Sequence, residues 1–185
     1  MPQEQLFEDA AAVPGHVAST DLFGGTGAEA MERGARLSPC RTYRYVLWRR
    51  WGRGHYAMFI GLNPSTADET QDDPTIRRCI GFARAWGYSG LCMANLFAYR
   101  ATDPADMKKA PDPIGWENDS TLSAWAHDAG VVVAAWGAHG TYKGRDQSVR
   151  LLVPGLHYLR LTKDGHPGHP LYLPKHLQPV AWVNW

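Results

Sequence analysis

The stretch Met58-Phe59-Ile60-Gly61-Leu62-Asn63-Pro64-Ser65 runs from apolar into polar residues without a break. Its apolar half is typical of a strand buried on both faces, as the strands of a parallel sheet are. Asn63-Pro64 follows where a turn is expected, since asparagine tolerates unusual backbone angles. The stretch therefore predicts a buried strand that ends in a polar loop able to hold a ligand.

The flanking sequence predicts strands that alternate with helices. Before the loop, residues 43–49 and 56–61 have strand propensity and enclose a turn at 52–54, which predicts a hairpin whose second arm enters the core. Asp73-Pro74 supplies a cap and a first-turn proline for a helix that Gly87 ends. After the loop, helices are predicted over 75–86, 112–128 and 141–153, and strands over 90–95, 131–136 and 156–161.

Strands that alternate with helices are joined by right-handed crossovers, which favours a parallel sheet covered on both faces. We therefore expect an α/β fold: a three-layer α/β/α sandwich with a central, mostly parallel four-stranded sheet plus an N-terminal antiparallel hairpin strand. Residues 1–38 show little apolar periodicity and predict a poorly packed N-terminal arm with a short helix near 28–34. Residues 39–185 then form a single α/β domain.

The composition is that of an ordinary globular chain. It has 185 residues, of which 44% are apolar and 20% charged, and no apolar run approaches the roughly 20 residues that span a bilayer. The N-terminus lacks a secretory pattern, and three cysteines without a close pair argue against a disulfide framework because their number is odd. Three thiols are also too few for a four-cysteine metal site unless histidine completes it. We expect a cytoplasmic, reduced protein with no membrane partner, and a monomer is favoured.

Charge alone leaves the partner open. The net charge is +1, but five arginines lie close together at positions 41, 44, 49, 50 and 53. Such a patch can steer the protein toward phosphate, and a solvated strand face explains it equally well.

Polar residues follow the apolar runs at four places. In parallel sheets, ligands bind beyond the carboxyl ends of the strands. This rule points to a composite site formed by segments 63–65, 95–100, 136–140 and 163–173.

Several motifs resemble a known family. Asn63-Pro64-Ser65-Thr66-Ala67-Asp68, Asp72-Asp73-Pro74-Thr75-Ile76-Arg77-Arg78, Asn95-Leu96-Phe97-Ala98 and His169-Pro170-Leu171-Tyr172-Leu173 look like a bacterial and phage family known only as domain of unknown function 1643. The resemblance covers about residues 38 to 182 and implies no chemistry.

A more distant resemblance does imply chemistry. Gly61-Leu62-Asn63-Pro64 is similar to the first motif of the uracil-DNA glycosylase superfamily, and the strand ending in Asn95 is similar to its pyrimidine-reading strand. Trp136-Gly137 resembles the end of an apolar strand in that superfamily. His166-Pro167 and His169-Pro170-Leu171 both resemble its last motif, so two registers compete.

This resemblance implies a DNA glycosylase that flips a damaged or modified base out of DNA, in DNA repair or a related process, without a cofactor or a metal. Asn63 would orient water, while His169, or alternatively His166, would stabilise the leaving base. Asn95 would read the pyrimidine edge. The other implied base-binding residues are Gly61, Leu62, Pro64, Ser65 and Trp136, and the implied DNA-binding residues are Leu171, Tyr172, Arg100, Lys143 and Lys163.

Besides the doubled last motif, the chain departs from that superfamily in three ways: Ser65 stands where glycine or tyrosine is common, no base-stacking phenylalanine follows shortly after it, and the loop 66–73 is acidic. Each residue also has an ordinary explanation. Asn63-Pro64 can be a simple turn, Asn95 can satisfy neighbouring backbone, and the histidines can lie on the surface. Trp136 favours core packing. The aspartates at 68, 72 and 73 suggest a cation site, although Asp73 is better explained as a helix cap.

Two other classes of function stay open. One is a non-catalytic reader of an unusual base or nucleotide, and the other is a hydrolase or transferase acting on free nucleotides. The absence of a G-x-x-x-x-G-K-[ST] phosphate loop disfavours the latter.

Overall fold

A mixed seven-stranded sheet organises residues 31–183, which are the residues that this computed structural model describes. The strand order is β1-β2-β4-β3-β5-β6-β7. The strands are β1 Glu32–Leu37, β2 Arg44–Arg50, β3 Ala57–Gly61, β4 Gly90–Asn95, β5 Val131–Ala134, β6 His157–Tyr158 and β7 Val180–Ala181. The helices are α1 Pro74–Ala85, α2 Pro104–Lys109, α3 Asn118–Asp128 and α4 Arg145–Leu152, with 3₁₀ segments at Ala138–Gly144 and Pro170–Tyr172. The predicted α/β class is confirmed.

The centre of the sheet is β3, because its residues are apolar on both faces. It pairs in parallel with β4 on one side and with β5 on the other. Ile60 and Met58 face a cluster that contains residues of α3 and α4, whereas Phe59 faces a cluster that contains Ile76 and Phe82 of α1. Burial on both faces therefore places the carboxyl end of β3, and the loop after it, between two packed layers.

The predicted hairpin between 43–49 and 56–61 is wrong. β2 pairs in an antiparallel manner with β1 and β4, so β4 lies between β2 and β3. The connection at 51–56 crosses two strand spacings, roughly 10 Å in total, which six residues span easily. Trp51 donates its backbone N–H to the Ser89 carbonyl, which attaches this connection to the chain before β4. Because β3 is apolar, it buries more of its surface between two neighbouring strands than it would beside one partner at the edge of the sheet.

The N-terminal boundary also differs from the prediction. Glu32–Leu37 was predicted to belong to the poorly packed arm but forms the edge strand β1. Residues 32–34 are therefore extended, although a helix was predicted for them. A side chain at Gly34 would collide with the Trp48 ring, since a Cβ there would lie 2.1 Å from it. Backbone pairing to β2 and ion pairs from Arg33 and Arg36 hold this polar strand, so apolar periodicity could not reveal it. The rest of the arm, 1–30, lies outside the described residues.

Other elements agree with the prediction in type but differ in extent. The strand predicted over 90–95 is β4, and α1 begins and ends within one residue of its prediction. The helix predicted from 112 begins only at Asn118, because Asp112 accepts backbone N–H groups in a turn and Gly115 has a positive φ of 82°. The helix over 141–153 is a 3₁₀ segment followed by α4, and the strand over 156–161 shortens to His157–Tyr158. The sequence patterns missed α2 and β7.

All three cysteines are free thiols, with Cys79 and Cys92 buried in the core. Among residues 31–183, no helix combines the length and apolar character that a membrane crossing requires.

Candidate functional site

A pocket of about 680 Å³ opens at the carboxyl ends of β3, β4 and β5, on the side of the sheet that α1 covers. Its walls come from the loop after β3, the first turn of α1, the segment after β5 and the 3₁₀ segment Pro170–Tyr172. The four segments predicted to form a composite site thus each contribute to one cavity. A volume of this size is typical of pockets that hold a small ligand.

Most of the predicted site residues line this pocket. Those present are Gly61, Leu62, Asn63, Ser65, Asn95, Trp136, His169, Leu171 and Tyr172. The predicted residues that do not line it are Pro64, Arg100, Lys143, Lys163 and His166. The chain folds so that residues more than 100 positions apart share this cavity, because parallel strands end at the same edge of the sheet.

Asn63 has a fixed orientation. Its Nδ2 donates to the Ala101 carbonyl at 2.7 Å and to the Pro64 carbonyl at 3.2 Å. Two carbonyl acceptors require the amide nitrogen on that side. Its Oδ1 accepts no hydrogen bond from any described residue and therefore stays free for a ligand or water. The turn explanation and the functional explanation are thus compatible, since each uses a different atom of the same amide.

Asn95 is buried with an unused donor. The residue is 3% exposed, and its Nδ2 has no hydrogen-bond partner among the described residues. Gly61 lies beside it in the parallel ladder, and a Cβ at Gly61 would approach the Asn95 Oδ1 to 2.8 Å. A different residue, Asn118, satisfies the strand-end carbonyls of Asn95 and Leu96. The side-chain donor of Asn95 is therefore not used by the described part of the fold.

His169 lines the pocket as a neutral hydrogen-bond donor. Its Nδ1 accepts the Leu171 backbone N–H at 3.4 Å, which leaves the ring proton on Nε2. Burial lowers the pKa of His169 below its ordinary value, and the carboxylate of Asp73 opposes this only in part. Arg78 holds the segment in place by donating to the carbonyls of Pro170 and Leu173.

Of the two His-Pro pairs, only the second reaches the pocket. His166 lies in a turn, where its backbone N–H donates to the Thr162 hydroxyl at 3.1 Å. The carbonyl of Pro167 accepts the backbone N–H of Gly137 at 2.9 Å, which ties the His-Pro region to the segment after β5. The first pair therefore supports the site and the second pair forms its wall.

Trp136 packs in the hydrophobic core and also lines the pocket. It is 3% exposed and its ring lies 5.9 Å from that of Trp182, while a Cβ at Gly140 would come within 2.1 Å of its ring. The core-packing explanation therefore accounts for most of its surface, and only its edge reaches the cavity.

Exposed apolar and basic side chains surround the mouth. Leu171 is 37% and Tyr172 is 82% exposed. On another part of the mouth, the amine of Lys108 lies 3.4 Å from Nδ1 of His139, which lines the pocket. Lys108 and Lys143 both lie over the ring of Tyr142. Leu171 and Tyr172 thus border the pocket with apolar surface, and Lys108 places positive charge beside the lining residue His139.

Arginines of the dense stretch 41–53 bind the acidic loop 66–73. The buried Arg49 forms an ion pair with Asp72 at 2.8 Å and donates to the Asp68 carbonyl at 2.7 Å. Arg41 forms a bidentate pair with Glu69. The carboxylates that made the loop look unsuited to DNA are thus neutralised by these arginines. Within residues 31–183, no group of three or more histidine, cysteine or acidic side chains is placed to hold a metal.

Sequence reasoning missed several pocket residues, of which Arg44 and Asp73 carry charge. Arg44 was one arginine among five, and no pattern distinguished it from its neighbours. Asp73 accepts the Ile76 N–H at 2.8 Å, so it is the predicted helix cap, but it also lines the cavity. Three further residues with polar side chains were missed, namely Thr75, Thr102 and His139.

Comparison with known protein families gives a match over most of the chain. The family described as "Protein of unknown function (DUF1643)" matches residues 44–171, which include the pocket from Arg44 to Leu171. No curated protein and no solved structure matches the chain.

Proposed function

The chain belongs to this DUF1643 family of unknown function, and we propose that it hydrolyses the N-glycosidic bond of uracil or a modified pyrimidine in DNA. The observation that supports the proposal is the convergence of Asn63, Asn95 and His169 on one pocket. Each of the three presents one unused polar atom of the kind that this reaction needs.

Cleavage of a nucleoside bond places positive charge on the sugar and negative charge on the departing base. The Nε2–H of His169 is suited to donate to a carbonyl oxygen of that base, on which the negative charge develops. Because His169 is neutral, it can act as a fixed donor without first losing a proton. Removal of one such donor typically costs about 10²–10³-fold in rate.

The positive charge that develops on the sugar requires a different group. Asn63 can hold a water molecule through Oδ1, but an amide is a poor proton acceptor, so its contribution is to position the water. Asp73 brings a carboxylate to the same cavity, where it can stabilise the cationic sugar. The two residues together provide what a single aspartate would provide alone.

Base and strand recognition use the remaining groups. The free N–H of Asn95 can donate to a pyrimidine carbonyl, and the absence of a side chain at Gly61 keeps that amide accessible. Leu171 and Tyr172 are exposed at the mouth and can fill the gap that a flipped nucleotide leaves. Lys108 and Lys143 can contact phosphates beside it.

The test uses single- and double-stranded oligonucleotides that carry uracil, hydroxymethyluracil, hypoxanthine or a thymine mismatch, with abasic sites detected by alkaline cleavage. We expect cleavage for at least one pyrimidine substrate, and a loss of about 10²-fold or more in H169Q. The matched control is R84M, which changes an exposed arginine of α1 outside the pocket.

Two results would replace the proposal. Salt-sensitive binding of a modified strand without abasic sites would indicate a reader that only binds the base. Turnover of nucleosides or nucleotides, with no affinity for the strands, would indicate an enzyme of free nucleotides. An absence of abasic sites on every substrate would refute the glycosylase proposal for these bases.

A further inference from the structure

Arg44 is a buried cation without a counterion in the described part of the chain. It is 2% exposed, and its one hydrogen bond goes from Nη1 to the Ala67 carbonyl at 2.6 Å. Its Nε has no partner, and no described carboxylate forms an ion pair with it. Arginine is rarely buried unless it is paired, because the loss of hydration costs several kcal/mol. An arginine in this condition needs a partner that the fold does not supply.

The charges around Arg44 do not remove its positive charge. Burial lowers the pKa of Arg44 to about 10, Asp73 and Asp68 raise it, and Arg100 and Arg49 lower it. The guanidinium is therefore still protonated at neutral pH. Asp73 lines the same cavity, but it caps α1 instead of forming an ion pair with Arg44.

A second unused donor lies in the same cavity. Asn95 is also almost fully buried, and its Nδ2 has no partner among residues 31–183. The two side chains are on neighbouring antiparallel strands, β2 and β4, and both line the pocket. The guanidinium Nε–H of Arg44 and the amide N–H of Asn95, both buried and both without a described partner, form a donor set for oxygen atoms that carry negative charge.

We propose that Arg44 and Asn95 form an oxyanion-binding subsite at the inner wall of the pocket, which takes a carboxylate or phosphate group of the substrate. This proposal rests on the proposed function when the oxyanion belongs to a base in a DNA strand, because the subsite then specifies the chemistry of that base. The acidic group has two chemical sources: a carboxyl substituent on a pyrimidine ring, or the phosphate of a nucleotide. In either case the ligand supplies the counterion that Arg44 lacks.

The test is titration calorimetry of the full chain with matched neutral and anionic ligands. The pairs are uracil with orotate, and uridine with uridine 5′-monophosphate, with inorganic phosphate alone as a further probe. We expect the anionic member of one pair to bind at least about tenfold more tightly than its neutral parent. A preference for orotate identifies a carboxylated base, and a preference for the monophosphate identifies a phosphate.

The variant R44M removes the charge and retains most of the volume. We expect it to abolish the preference for the anion while its melting temperature stays equal to or above that of the wild type, because a buried unpaired charge disappears. R84M should retain the preference. A lower melting temperature together with a parallel loss of affinity for neutral and anionic ligands would show that Arg44 is structural, and would overturn the proposal.

If R44M does not fold, the wild-type chain supplies the answer through the Nε–H nuclear magnetic resonance signal of Arg44, which should shift on addition of orotate or the monophosphate. No shift with either ligand overturns the subsite. The two proposals also fail separately. A preference for anions without abasic sites supports the subsite and removes the glycosylase, whereas abasic sites without such a preference do the reverse.

Discussion

Arg49 and Arg44 lie on the same strand, and both are almost completely buried, yet they have opposite surroundings. Arg49 forms an ion pair with Asp72 and donates to four backbone carbonyls, which belong to Gly34, Trp48, Asp68 and Gln71. Arg44 donates to one carbonyl. Burial alone therefore does not identify a structural arginine. The number of satisfied donors separates a residue that holds the fold from one that awaits a ligand.

Two asparagines differ in the use of their amide nitrogens, although Oδ1 of Asn118 also lacks a partner among the described residues. Asn118 is fully buried and donates to the carbonyls of Asn95 and Leu96, so it holds the end of β4. Asn95, one strand end away, has an unsatisfied Nδ2 in the pocket. Arg49 thus has its donors satisfied at one end of β2, whereas Arg44 at the other end keeps an unsatisfied Nε. A buried donor without a partner needs an explanation, and a ligand in the adjoining pocket is one.

The largest expected effect comes from breaking the satisfied network. R49M removes the buried partner of Asp72, leaving it only the exposed Arg33, and it removes the donor to the Asp68 carbonyl. We expect a loss of about 3–5 kcal/mol in the free energy of unfolding, measured by urea denaturation. R44M, the matched change on the same strand, should leave the free energy of unfolding unchanged or raise it. Equal losses in the free energy of unfolding in R49M and R44M would show that the difference in satisfied donors between Arg49 and Arg44 does not affect stability.

The second effect tests the orientation of Asn63. N63D places carboxylate oxygens against the carbonyls of Pro64 and Ala101, where the wild type has N–H donors. We expect a loss of about 1–3 kcal/mol at neutral pH. The new carboxyl should have a raised pKa in the folded chain, so the loss should shrink as the pH falls toward about 4. Higher stability or activity in N63D would contradict this orientation.

The third effect separates the two roles of Asp73. D73A removes the side-chain acceptor of the Ile76 N–H, and we expect it to cost about 1 kcal/mol. D73N retains a good cap and should keep nearly the wild-type melting temperature. If the carboxylate also acts in the pocket, both variants lose base release to a similar extent. Full activity in D73N would reduce Asp73 to a helix cap.

The smallest effect concerns pH. The folded-state pKa of His169 is lowered, chiefly by burial, so on acidification the unfolded chain takes up this proton first. The stability that the neutral ring contributes is complete above about pH 6.5, the ordinary histidine value, and is lost as the pH falls through the folded pKa. H169Q should flatten the dependence of melting temperature on pH in this range. An unchanged profile would show that His169 is solvated.

The sequence predicted the elements whose pattern is local. Strand β4 and helix α1 follow from their apolar runs, from the Asp73 cap and from Gly87. It also predicted that Asn63 and Asn95 share one edge of the sheet, since the polarity of parallel strands brings them there. It did not predict the pairing of β2 or the polar strand β1, because these depend on long-range contacts such as those of Arg33 and Arg49.

The same limit explains why the sequence did not distinguish Arg44 from Arg49. Both lie on one strand, and the position of the loop 62–73 decides which guanidinium finds partners. Likewise, both His-Pro pairs match the motif, and the choice of His169 depends on where the chain after β6 returns to α1.

The most direct test is a side-chain nuclear magnetic resonance titration of the full chain with a short single strand that carries one deoxyuridine, against the same strand with thymidine. The account predicts that the deoxyuridine strand shifts the Nδ2 signals of Asn95 and the Nε2 signal of His169. The Nε–H signal of Arg49 should stay unchanged with both strands. Unmoved pocket signals, while surface lysine or arginine signals shift equally with both strands, would contradict the claim that this pocket binds the base.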